Sequence, residues 1–133
     1  MSNTRTQAGL RTALGRVRGL GSAKSGTGHW WGLRVTSLAL VPLTLWFVVS
    51  VITHLGADHA AMVAWLSSPV TAGLMVLTIG VTMHHMVNGL QEVIEDYIHT
   101  EWTKIATLLA VKFAGYFLAA VSIIAVLKIA FGR

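Results

Sequence analysis

The chain has 133 residues, of which 54% are hydrophobic and 11% charged, with a mean hydropathy of +0.67. Soluble domains carry about 25% charged residues, so this composition is that of a membrane protein, with room at 14.3 kDa for one small domain of three spans. Cysteine is absent, which excludes disulfides and cysteine-ligated metal or iron–sulfur centres; any metal ligation falls on histidine. No glycine-rich phosphate loop and no nucleophile elbow occurs, so the chain reads as one subunit of a larger assembly and not as a catalyst by itself.

The net charge of +5 is unevenly placed. Arg5, Arg11, Arg16, Arg18, Lys24 and Arg34 all precede the first acidic residue, Asp58, and a basic arm of this kind stays in the cytoplasm. It carries no DNA-reading motif and leads into an apolar span, so its expected partner is membrane lipid and not nucleic acid. Over residues 6–20, Leu10, Ala13, Leu14 and Val17 recur at helical spacing against Arg11, Arg16 and Arg18, the pattern of an interfacial amphipathic helix; a solvated tail is the equal alternative. Residues 1–28 are thus read as a basic arm ending in a Gly/Ser linker (21–28), and residues 29–133 as the transmembrane domain.

His29, Trp30 and Trp31 mark the headgroup level, and the first span is expected over about residues 33–53, kinked at Pro42. Residues 55–68 lack Lys and Arg, as an outside loop should. The second span, about 69–91, opens on Pro69 and ends before Glu92, Glu95 and Asp96. A third covers about 103–129, with Lys104 and Lys112 toward its inner end. The expected fold is an all-α membrane protein of three transmembrane helices, N-terminus in the cytoplasm and C-terminus outside.

Within the second span, His85 is an ionisable residue at membrane depth, about 10 Å from Glu92 at 1.5 Å per residue. Such residues mark functional sites, although a neutral histidine that only hydrogen-bonds a neighbouring helix is the bland alternative. Thr71, Thr78, Thr82, His85 and Gly89 share one helical face, a stripe of small and polar residues that direct helix packing also favours, and Gly89, one turn from the histidine, additionally clears space for a flat macrocycle. A neutral imidazole on such a face is a common axial ligand of haem iron. His54, the other span histidine, lies roughly 15 to 20 Å away in depth, and His84 points about 100° around the helix, so a second axial ligand has to come from another polypeptide. Asp96 and Tyr97 place a phenol beside a carboxylate at the membrane surface, where they could hydrogen-bond a quinone carbonyl or serve simply as an interfacial anchor. Gly73, Gly80 and Gly115 are expected helix-packing positions, and Lys112 is expected to snorkel.

The segment His85-Met-Val-Asn-Gly89-Leu-Gln91-Glu-Val-Ile-Glu-Asp96-Tyr97 resembles the signature of the hydrophobic membrane-anchor subunits of succinate dehydrogenase, which have a histidine, a glycine four residues on, and Asp-Tyr eleven and twelve residues on. His29-Trp-Trp-Gly-Leu-Arg34-Val-Thr, leading into a Pro-containing span, is similar to the N-terminal segment of alphaproteobacterial and mitochondrial-like members. The resemblance covers nearly the whole chain from Gly28. It implies that His85 is one axial ligand of a haem b, with the other supplied by the partner anchor, the cytochrome b subunit, which makes Gly89, by its spacing, a haem-contact position. It implies that His29 and Arg34 approach the haem propionates, and that Tyr97 with Asp96 lines the ubiquinone site beside the iron–sulfur subunit. The implied assembly adds a flavoprotein that oxidises succinate, and the implied location is the bacterial inner membrane, ahead of the mitochondrial one. A quinol:fumarate reductase anchor and a haem-free structural anchor are the rival readings.

Overall fold

The computed structural model describes residues 26–132, with Leu14 as a single residue before them. The amphipathic helix expected over residues 6–20 otherwise lies outside the described residues. Four helices follow one another: α1 (Gly26–Thr53), α2 (His59–Leu66), α3 (Pro69–Tyr97) and α4 (Glu101–Phe131), with no strand among the described residues. α1, α3 and α4 are each long and apolar enough to cross a membrane, and at 28, 29 and 31 residues they exceed the roughly 20 that a hydrocarbon core needs. The chain is an all-α protein with three membrane spans.

Each span extends past its expected limits. α1 starts at Gly26, so the end of the expected linker is helical and His29, Trp30 and Trp31 sit in the first two turns. Glycine disfavours helix by about 1 kcal/mol, but adding a turn to an existing apolar helix needs no new nucleus. α3 runs to Tyr97, so Glu92, Glu95 and Asp96 lie on the helix and not beyond its end. Charged groups end the apolar window without ending the helix, because Glu is a good helix former. α1 continues unbroken through Pro42.

The expected outside loop contains α2. Gly56, at φ +81°, takes the left-handed backbone that turns the chain back from α1, and Asp58 then caps α2 by accepting from the Ala61 amide at 2.8 Å. The 59–66 stretch is too short for a span and too apolar for a solvated loop. It packs on α3 and α4 and sets Trp65 beside Trp46 (6.4 Å between ring centroids) and His54 (4.5 Å).

α3 lies between α1 and α4, which make no close backbone approach to each other. One side of α3 buries Val87 and Ile94, seven residues apart. There Gly115 of α4 is buried, and a Cβ at that position would overlap the Val87 methyl group. Of the three glycines expected to pack, only Gly115 does so: a Cβ at Gly73 or Gly80 would meet nothing within 4 Å. The three-residue link between α3 and α4 makes them antiparallel neighbours.

The opposite side of α3 faces α1. His29 contacts Glu92 and Thr36 contacts His85, fixing an antiparallel register that sets positions 29, 36, 43 and 50 level with 92, 85, 78 and 71. Burial agrees, since Ser50, Thr71 and Thr78 are all buried. Small and polar residues suit such a seam, because lipid gives no hydrophobic drive for helix association and close packing and hydrogen bonds must supply it. Thr82, expected on this stripe, is exposed instead. The outer faces remain apolar and exposed, Leu38 and Phe113 among them.

Candidate functional site

His85 sits on the α1–α3 seam, half-buried, with Nδ1 3.0 Å from the Thr36 hydroxyl oxygen. Gly89 lies one turn toward the Glu92 end, where a Cβ would meet nothing within 4 Å. The register places Gly32 of α1 level with Gly89, and a Cβ there would meet nothing either. The seam is therefore open at this level, in contrast to the tight contact at Gly115.

One further turn along, the His29 Nε2 atom is buried and lies 2.6 Å from Glu92 Oε1, off the line of a ring N–H bond. The contact is a charge approach, attractive when the imidazole is protonated. His29 and Glu92 belong to the wall of a groove of about 1180 Å³, together with Trp30, Asn88, Glu95 and Lys112. The groove exists because α1 and α4 do not pack on each other, which leaves α3 as its floor. Lys112 is half-buried and lines it.

The remaining residues singled out in the sequence stand apart from this strip. Arg34 is exposed, with its guanidinium 4.7 Å from the centre of the Trp30 ring, on the face of α1 turned away from Thr36. Asp96 and Tyr97 are exposed on the last turn of α3. His84 is exposed and accepts from Asn88 Nδ2 at 3.0 Å through its Nε2. His54 is held at the far end by its Nδ1 contact with the Ser50 carbonyl (2.8 Å) and borders an apolar cavity of about 360 Å³. Thr36 marks the depth of His85 on α1, and the eighteen residues from there to His54 span about 27 Å, more than the 15 to 20 Å expected from the sequence.

Sequence reasoning missed Thr36. The signal is present, since Thr36 is seven residues from His29 and from Leu43 on a helix that faces the polar stripe of α3, but nothing in one helix states its register against another. No group of three or more His, Asp or Glu residues able to hold a metal ion occurs among the described residues. A metal at His85 would need a ligand from another chain.

The family model described as "Succinate dehydrogenase/Fumarate reductase transmembrane subunit" matches residues 8–126. The chain is similar to the succinate dehydrogenase hydrophobic membrane anchor subunit of Paracoccus denitrificans, with 32% identity over 87% of this chain and 89% of that one. It is 29% identical to the protein of the same name from Rickettsia bellii over 77% of this chain and 82% of that one. The succinate dehydrogenase membrane anchor subunit of Reclinomonas americana is 26% identical over 67% and 77%. No solved structure gives a significant match. With the family model covering most of the chain and relatives of this kind, the chain belongs to the succinate dehydrogenase/fumarate reductase transmembrane-subunit family, as a membrane anchor subunit.

Proposed function

We propose that this chain anchors a succinate:ubiquinone oxidoreductase to the bacterial inner membrane, N-terminus inward, and that His85 donates one axial ligand to a haem b completed by the partner anchor. The observation that carries the haem reading is the half-buried His85 imidazole, engaged at one ring nitrogen only, beside the open space at Gly89 and Gly32. The donor set fits a haem: one nitrogen donor within an apolar span, clearance for a flat ring, and a groove one to two turns away where Lys112 could receive a carboxylate, as could His29 on exchanging its contact with Glu92. When bound, that group supplies one-electron redox chemistry.

The bland reading of His85, a histidine that merely hydrogen-bonds the next helix, accounts for Nδ1 but leaves Nε2 without a task. His84, the rival by one residue, has its Nε2 taken by Asn88 and stands on the exposed face. Arg34, exposed near the same end, is available to haem propionates only where a partner chain brings them to that face.

Quinone reduction is assigned to the Glu92 end. Tyr97 orients and polarises a quinone carbonyl through its hydroxyl, with Asp96 beside it to relay protons from the cytoplasm; their exposure suits a site completed by the iron–sulfur subunit. The flavoprotein, iron–sulfur and cytochrome b partners supply succinate oxidation and the electron path. The family description also covers fumarate reductases, and the names of the relatives support the succinate-oxidising direction.

The test is a reduced-minus-oxidised spectrum of the complex purified with its partner chains. His85→Ala should abolish the b-type signal, while His84→Ala should keep it. A normal spectrum in His85→Ala would overturn the ligand assignment and leave a structural histidine.

A further inference from the structure

The Thr36 hydroxyl has three neighbours: the carbonyl oxygens of Gly32 at 2.7 Å and Leu33 at 3.1 Å, and His85 Nδ1 at 3.0 Å. A hydroxyl carries one proton and two lone pairs. Carbonyl oxygens can only accept, so only the hydroxyl proton can make those two contacts bonding. Helical threonines commonly direct it backward in this way, and Thr44 of the same helix does so toward Leu40 (2.6 Å) and Val41 (3.2 Å) with no histidine nearby. The backward bond is thus the local habit of a threonine in this helix, and the approach to His85 is an addition made by the seam.

With its proton committed to the Gly32 carbonyl, the Thr36 oxygen meets His85 with lone pairs. Nδ1 must then donate. A neutral imidazole has one ring proton, so a proton on Nδ1 leaves Nε2 as a bare electron pair. The other tautomer would require the hydroxyl to abandon its shortest contact and would put a proton on Nε2, where a metal cannot bind without displacing it. The same bond stops the ring from rotating about its attachment to the backbone.

We propose that Thr36 is a positioning residue: it selects the Nδ1–H tautomer of His85, fixes the ring plane, and turns Nε2 into a preformed ligand. The inference rests on His85 being a haem ligand and adds what makes it a good one. Hydrogen bonding at the distal nitrogen raises ligand basicity and favours oxidised iron, and losing such an outer-shell partner typically weakens metal retention by about 10- to 100-fold.

The experiment uses the purified complex with Thr36→Val, which keeps the shape and removes the hydroxyl, Thr36→Ser, which keeps the hydroxyl, and His85→Ala. Three quantities are read: haem per flavin during washing, the midpoint potential of the haem, and its low-spin electron paramagnetic resonance signal. In Thr36→Val, haem should be lost about 10- to 100-fold more readily, the midpoint potential should rise and the low-spin signal should shift as the ring is freed. Thr36→Ser should restore all three. Potential and spectrum are properties of each remaining haem, so a lower yield does not obscure them, and Thr36→Ala removes the same hydroxyl with less demand on packing should the valine variant fail to assemble. Wild-type potential and spectrum in the hydroxyl-free variants, with haem lost in His85→Ala, would overturn the role of Thr36 alone. Haem retained in His85→Ala would instead overturn the ligand reading beneath it.

Discussion

Tyr97 stands on the last turn of α3 with 81% of its surface exposed, about 140° around the helix from Glu92. A phenol so open to its surroundings contributes little to this chain's own packing, and removing its hydroxyl leaves no buried partner unpaired. Tyr97→Phe should therefore spare assembly and act on the quinone alone. Losing one functional hydrogen bond corresponds to a fall in quinone reduction on the order of tenfold, with succinate oxidation by an artificial dye retained. Equal loss of both rates would show that the residue serves assembly. His85 differs from Tyr97 in being held by its own chain, through the Thr36 contact at 3.0 Å, so its substitution tests the proposed haem donor and not the proposed quinone surface.

At the scale of elements, α3 has two unlike sides. Toward α4 it presents Val87, fully buried against Gly115, and this contact has no slack. Gly115→Ala should destabilise the helix pair by about 1 to 3 kcal/mol through overpacking, read as a lower thermal midpoint of the assembled complex. Val87→Ala in the same chain should recover part of that loss, because the added methyl would then occupy the space the valine gave up. Additive losses from the two changes would show that the helices are not held by this contact. Toward α1 the same helix presents Thr71, Thr78, His85 and Glu92 at seven-residue intervals, and this seam stays open at Gly89. The closed side holds α3 in place while the open side carries the polar groups.

For the whole molecule, a row of three spans with α3 in the middle leaves long apolar faces uncovered, with a groove between α1 and α4 at the Glu92 end and an apolar cavity between α1 and α2 at the other. That exposure suits burial by lipid and by the other chains of the complex. The proposed orientation puts the α1–α2 turn outside and the α3–α4 link inside. Because the chain lacks cysteine, single cysteines report this directly. In spheroplasts, Ala57→Cys should react with a membrane-impermeant maleimide, whereas Thr100→Cys should react only after the membrane is opened. The reverse pattern would invert the orientation and, with it, the side on which the proposed quinone site lies.

Composition and hydropathy by themselves determined the class, the three spans and their order, because a long apolar run in one helix is a local property that lipid enforces whatever its neighbours do. The spacing of His85, Gly89, Asp96 and Tyr97 was legible for the same reason, being fixed by a single helix. Helix ends were less so: Glu92, Glu95, Asp96 and Tyr97 are polar and yet helical, and α2 was hidden because eight residues, seven of them apolar, match no span. The register between α1 and α3 belongs to no one segment. It arises when two surfaces pack, and only the tertiary structure set Thr36 against His85, Gly32 level with Gly89, and Gly115 tightly on Val87 while Gly73 and Gly80 stayed open.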